Sequence, residues 1–458
     1  MRPIHAAPAA LCLTAGLTAL AAAALAQTRP AAELPGTPAP LTDADFPPVD
    51  RAEAALGQLL FYDPILSGGE EVACATCHHP AFGTSDGLSL GLGDGGIGLG
   101  PARHADPDNL PEERVPRNAQ GLWNVSALQY RAMFMDGRVE LDEGHAHGMR
   151  TPLEDEMLEG LSSMLSTQAM FPVVSPDEMA GHYQESDVSR AVRQGILTGE
   201  GGAWDILARR VAAIPAYAEA FAAVYPGRIA APEDITYQDI SNAIAAFMAF
   251  EFRSDTAPFD DWLRGEAELP PEAALGAEIF YGRGTCGSCH SGPFLTDHSF
   301  HAMGDVQLGP GKGARFESHD RDEGRFEVTG RPEDLYAFRT PSLRNVALTA
   351  PYGHAGAYRT LEGFLAAHAD PVTALEAYDR GEAILPELAV ADWGIMESAE
   401  SRAAIAAAVA VPPLALSEGD ISALVAFLGT LTDPVAEAGR LGVPDAVPSG
   451  LPVPQPEE

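Results

Sequence analysis

Cysteine is scarce, five residues in 458, and four of the five sit in two short motifs, which leaves nothing for a disulfide framework. Positive charge is also short: 28 Lys and Arg stand against 65 Asp and Glu, a formal net charge of −37. Such a surface excludes nucleic acid and anionic membrane as partners, and beyond conferring solubility it attracts small basic proteins. The N-terminal apolar run from about Ala9 to Leu25 is too short for a good membrane anchor. It follows Arg2, ends Ala24-Leu25-Ala26 and carries Cys12 inside the run rather than after it, the pattern of a secretory signal peptide spanning 1–26 and not of a lipoprotein.

What is present is Cys74-Ala75-Thr76-Cys77-His78 and, again, Cys286-Gly287-Ser288-Cys289-His290. Cys-x-x-Cys-His is the attachment sequence of c-type haem. The thiols, one helical turn apart, add to two vinyl groups of one porphyrin, and the adjoining His reaches the iron. A redox dithiol or half a zinc site would not need that His in both copies. Two covalent haem c groups are therefore expected, and their attachment outside the bacterial cytoplasm fits an exported, periplasmic protein. A small basic redox protein then becomes the natural guest of the acidic surface.

The length suits two domains with additions. Ala54-Ala55-Leu56-Gly57, with Leu59, Leu60 and Phe61, precedes the first motif; Ala273-Ala274-Leu275-Gly276, with Ile279 and Phe280, precedes the second. Asp239-Ile240-Ser241 through Phe247 matches Asp420-Ile421-Ser422 through Phe427, each an amphipathic helix by its apolar spacing. The expected fold is mostly α: two cytochrome c-type haem domains in tandem with long loops, at 49–260 and 261–441, joined where Pro258, Pro270 and Pro271 punctuate the chain. A Pro-, Ala- and Thr-rich flexible leader is expected at 27–48 and a disordered Pro-rich acidic tail at 442–458. The glycine-rich stretch 91–100 cannot be a stable helix and should wrap a haem pocket.

In this order the chain resembles the bacterial di-haem cytochrome c peroxidases and their MauG-type relatives. The matching residues are Ala55-Leu56-Gly57-Gln58-Leu59-Leu60-Phe61-Tyr62-Asp63-Pro64, Pro116-Arg117-Asn118 and Phe134-Met135-Asp136-Gly137-Arg138, then Arg339-Thr340-Pro341-Ser342-Leu343-Arg344-Asn345-Val346 and Leu348-Thr349-Ala350-Pro351-Tyr352-Gly353-His354. The resemblance implies a peroxide-binding haem on His78 and an electron-relaying haem on His290. It also implies a Ca²⁺ ion held by the Asn118 side chain and the Thr349 and Pro351 carbonyls, oxygen ligands that suit calcium. Gln168-Ala169-Met170-Phe171-Pro172 with Glu178-Met179 places the acid/base carboxylate at Glu178, over the competing Glu156-Met157.

Three positions depart from the family pattern. Where many relatives place a histidine that plugs the peroxide site, Asp94 stands here, so haem one is expected open, with His104 as a residue that could swing in. Met135 replaces the Trp commonly assigned to inter-haem electron passage, leaving tunnelling or nearby Trp123. The sixth ligand of haem two, usually Met or Tyr, falls on His368, and a bis-His pair stabilises ferric iron and lowers the potential. His145 and His147 lie in an insertion and are read as a loop rather than a metal site; His354 is read as a hydrogen-bonding residue.

The leading expectation is a di-haem peroxidase that reduces H₂O₂ with electrons from a small cytochrome c or cupredoxin. A homodimer is compatible with the resemblance. The rival is a MauG-type oxidase that uses peroxide to oxidise side chains of a partner protein. From another class comes a non-catalytic di-haem electron-transfer cytochrome, in which cyanide would perturb neither Soret band.

Overall fold

The computed structural model describes residues 30–31, 34–154, 156–182, 184–311 and 320–456. The expected signal peptide, 1–26, lies outside them, as do residues 27–29, 32 and 33 of the expected leader. The chain is mostly helical, with strands of two or three residues in small antiparallel sheets. Among the described residues no helix is long and apolar enough to cross a membrane.

Two crossed helix pairs carry the architecture. Helix α1 (Arg51–Tyr62) starts at Asp50, whose carboxylate accepts from the Ala52 and Glu53 amides at 2.7 and 3.1 Å. It packs on α2 (Tyr237–Glu251), and the contact is close because position 57 has no side chain: a β-carbon there would overlap the Ala243 carbonyl and crowd Phe247. Helix α3 (Pro271–Tyr281) meets α5 (Glu418–Gly429) in the same way, with Gly276 against the Ala423 carbonyl and Phe427. The repeat legible in sequence is thus a repeated backbone contact between the helices that flank each motif. Helix α4 (Leu361–Ala369), started by Thr360, lies between α3 and α5 in sequence.

One hydrophobic core gathers around α1 and α2, and a second around α3 and α5. Phe259 and Trp262 belong to the second, so the boundary expected at 260/261 falls inside a helix, Pro258–Arg264. A third cluster joins Leu90 of the first half to Val306, Leu308, Ile395 and Ile405 of the second.

Both ends of the described chain cross over, contrary to expectation. In the leader, Leu34 packs in the second core, while Leu41 and Phe46 pack in the first, Phe46 edge-on to Phe294 at 5.8 Å. The tail expected to be disordered instead straps the first half. The buried Glu251 carboxylate accepts from the amides of Arg440, Leu441 and Gly442 at 3.0, 2.7 and 2.9 Å. Ser449 donates to Asp63 at 2.7 Å, and Leu451 and Val453 pack on the first core. A Pro-rich segment needs no helix to be ordered when buried carboxylates and an apolar groove supply the partners its own backbone lacks.

Candidate functional site

Cys74 to Cys77 form one helical turn started by the Thr76 hydroxyl, which accepts from the Ala73 amide at 3.0 Å. The His78 amide closes the turn on the Cys74 carbonyl at 3.0 Å, and His78 Nδ1 lies 2.9 Å from the Thr84 carbonyl. A carbonyl partner makes Nδ1 the donor, which leaves the Nε2 lone pair for a metal. The second motif repeats the device: the His290 amide meets the Cys286 carbonyl at 2.9 Å, and His290 Nδ1 lies 3.1 Å from the Leu295 carbonyl.

Cys74, Cys77 and His78 open into a cavity of about 1290 Å³, its mouth included. Phe61, Leu122, Val125, Leu165, Ile244 and Met248 give it apolar walls; Asp86, Arg117, Arg138, Gln168 and Glu178 bring polar groups to it. Two thiols, an imidazole with a free nitrogen and an apolar chamber fit a covalently attached haem.

Glu178 sits on a π turn, Pro176–Ala180, closed by the Ala180 and Gly181 amides on the Ser175 and Pro176 carbonyls at 2.9 and 3.2 Å. Such turns re-aim side chains and are frequent at functional sites. The competing Glu156 is exposed, accepts from the Thr198 hydroxyl at 3.0 Å and does not line the cavity.

The glycine-rich stretch stands directly behind this turn. A side chain at Gly93 would overlap the Asp177 and Glu178 carbonyls, and the Asp94 amide donates to the Asp177 carbonyl at 3.3 Å. The stretch is wound around buried Arg103, whose guanidinium donates to the carbonyls of Leu92, Gly93 and Gly98. Arg103 was not singled out in sequence; a buried Arg satisfied by backbone carbonyls has no motif.

Asp94 does not line the cavity. It is buried with one carboxylate oxygen unpartnered, and burial and nearby Glu185 push its pKa up to about 6. The carboxyl of this loop that lines the cavity is Asp86, raised to about 7 by burial. Its only sequence signal was its place on the same loop. His104 lies in a two-residue strand, His104–Ala105, exposed and away from the cavity, its Nδ1 3.3 Å from the Ala102 carbonyl. Met135 does line the cavity, and the Arg339 amide donates to its carbonyl at 2.8 Å. Trp123 is buried off the cavity, edge-on to Phe252 at 5.7 Å within the first core. His145 is 3.7 Å from Asp142 at the surface; neither it nor His147 joins a ligand cluster among the described residues.

On the second motif's side, His368 ends α4 with its ring 5.2 Å from Phe364 and its buried Nδ1 unpartnered. Burial and then the charge of His368 hold His290 down to about 4. A buried imidazole with an unpartnered nitrogen, whose charge reaches His290, has the chemistry of a second ligand to a haem on the second motif. His354 Nδ1 lies 3.4 Å from Asp305, and its ring stacks on Phe338 at 4.0 Å. The Asn118 amide donates to the His354 carbonyl at 2.8 Å, and Asn118 Nδ2 donates to the Leu88 carbonyl at 2.7 Å, leaving its amide oxygen available to a cation. Thr349 stands nearby, its methyl 3.0 Å from where a β-carbon at Gly121 would lie.

The model of the di-haem cytochrome c peroxidase family matches residues 51–268. The methylamine utilization protein MauG of Methylorubrum extorquens is 30% identical over 319 residues, 69% of this chain and 69% of that protein. The cytochrome c551 peroxidase of Nitrosomonas europaea is 28% identical over 316 residues, 69% of this chain and 72% of that one. Among solved structures, a MauG-like protein associated with microbial copper homeostasis superposes with a TM-score of 0.54 at 25% identity, over 87% of this chain and 94% of that one. The chain belongs to the di-haem cytochrome c peroxidase and MauG family: it is an oxidoreductase whose cofactors are c-type haems.

Proposed function

We propose that the chain is a periplasmic peroxidase built from two tandem haem domains, in which H₂O₂ is reduced at the His78 site with electrons relayed through the His290 site. The observation that carries this reading is that Glu178 and His78 line one cavity. Haem, when bound, supplies the iron that meets peroxide and exchanges electrons with it.

The protein's part is positional. The Thr84 carbonyl fixes the His78 tautomer, which leaves Nε2 as the nitrogen that would hold the iron. The apolar walls keep bulk water from the reacting oxygens. A Glu178 carboxylate oxygen takes the proton from one peroxide oxygen and returns it to the other, which leaves as water. Two electrons and two protons complete the reduction to two waters. His78 is the only histidine lining the cavity among the described residues, which supports an open iron there, whereas His290 and His368 would both hold the iron of the second haem. A small basic redox protein, a cytochrome c or a cupredoxin, would dock on the acidic surface as donor. Asn118, Thr349 and Pro351 would hold a structural Ca²⁺ at the junction of the halves.

Met135 and His368 favour a second reading, the MauG-type oxidase acting on side chains of a partner protein. Steady-state kinetics separate the two. Sustained turnover of H₂O₂ with a reduced small cytochrome c supports the peroxidase. Negligible turnover with a long-lived two-electron-oxidised state supports the oxidase.

A further inference from the structure

Between the two sites lies a run of touching, buried groups. Arg117 lines the His78 cavity and is held rigid by carboxylates from both halves: Asp136 at 2.6 Å, and Asp322 through two bonds of 2.7 and 2.9 Å. Its guanidinium carbon stands 5.4 Å from the centre of the Phe338 ring. The same ring stacks on His354, centroids 4.0 Å apart and planes 14° from parallel. His354 Nδ1 lies 3.4 Å from Asp305, and Phe338 is paired across the sheet with His301, whose imidazole lies within 4.8 Å of Cys289 of the second motif. The strand that carries the ring, Phe338–Arg339, is paired with Phe300–His301 and bonded by the Arg339 amide to Met135, so the ring's backbone also reaches the first cavity.

We infer that Phe338, with Arg117 on one side of the path and His354 on the other, carries the electronic coupling between the His78 and His290 sites. The inference rests on the proposed two-haem reading. Tunnelling falls steeply with every gap between atoms, and a dry, close-packed chain of ring and guanidinium has few gaps and little motion. Phe338 is not itself oxidised: one electron at a time passes from the His290 site to the His78 site, no bond in the ring changes and no proton moves with it. The reducing equivalents come from the external redox protein. Trp123 is the wrong aromatic for this path, because its ring meets Phe252 inside the first core. Arg117, Phe338 and His354 are each less than one-tenth exposed, so the path is shielded from water.

The test uses the full haem-loaded protein, reduced by one electron and bound by carbon monoxide. A flash releases the carbon monoxide, and the electron's movement between the two sites is followed in the Soret bands. Phe338→Leu should slow that movement several-fold while each haem keeps its potential and its EPR spectrum. Should Phe338→Leu fail to load haem, His354→Gln removes the stacked ring while keeping a polar group for Asp305, and should slow the transfer likewise. Trp123→Phe should leave the rate unchanged. Wild-type rates in Phe338→Leu or His354→Gln, or slowing in Trp123→Phe, would overturn the inference. A protein whose Soret bands do not respond to carbon monoxide at all would overturn the open-site reading instead, a result separable from an unchanged rate.

Discussion

Glu178 bears the heaviest assignment of any single side chain. Replacing it with Gln keeps the shape and removes the proton carrier, so the rate of reaction with H₂O₂ should fall by about a hundredfold or more, the usual worth of a general acid–base group. Haem content and cyanide binding should be unchanged; a loss of both would mean the residue is structural. That Glu178 lines the His78 cavity agrees with a reading taken from local sequence, the approach Gln168 to Pro172. Which of Asp86 and Asp94 turns inward was not legible there, because that depends on how a glycine-rich loop winds around Arg103, which lies 17 residues from Asp86 and 9 from Asp94 along the chain, and the folded loop decides it. A second residue-scale prediction concerns Glu327, largely exposed beside buried Asp322: its pKa is raised from 4.5 to about 8 by desolvation and then by the Asp322 charge, an effect that solvent screening keeps small. The native state then binds the extra proton between those values, so stability is fullest below the unfolded pKa and is lost as pH rises through 8. Thermal unfolding of Glu327→Gln should lack that decline and overtake the wild type at alkaline pH.

Helices and loops hold the sites through a few close approaches. Gly57→Ala and Gly276→Ala each force a β-carbon into a facing carbonyl, and overpacking of that kind costs about 1–3 kcal/mol. Chemical denaturation should register both, with similar losses because the contacts are equivalent. Arg103→Gln removes bonds to three loop carbonyls, and the Gly93 backing of the Glu178 turn should loosen with it: reaction with H₂O₂ slows, while α1 and α2 stay protected from hydrogen exchange. The helices and their repeat could be read because Ala-Ala-Leu-Gly recurs ahead of each motif, at 54–57 and 273–276, with the glycine at the close helix contact each time. The π turn could not, since its closure pattern has no compositional signature.

Across the whole molecule the two halves are interlaced. Leader residues reach the second core, the tail returns to the first, and Ser89 bonds to Ile384 and Gly356 of the second half. The tail escaped the sequence reading because Pro-rich acidic composition describes what a segment cannot do alone, not what Glu251 and Asp63 offer it. The central claim is that the two motifs, alike in sequence, mark unlike irons: an open one on His78 facing Glu178 and a closed one between His290 and His368. EPR spectroscopy of the ferric protein as purified tests it most directly. The account predicts one high-spin signal and one low-spin signal in equal amounts; two low-spin signals would contradict it.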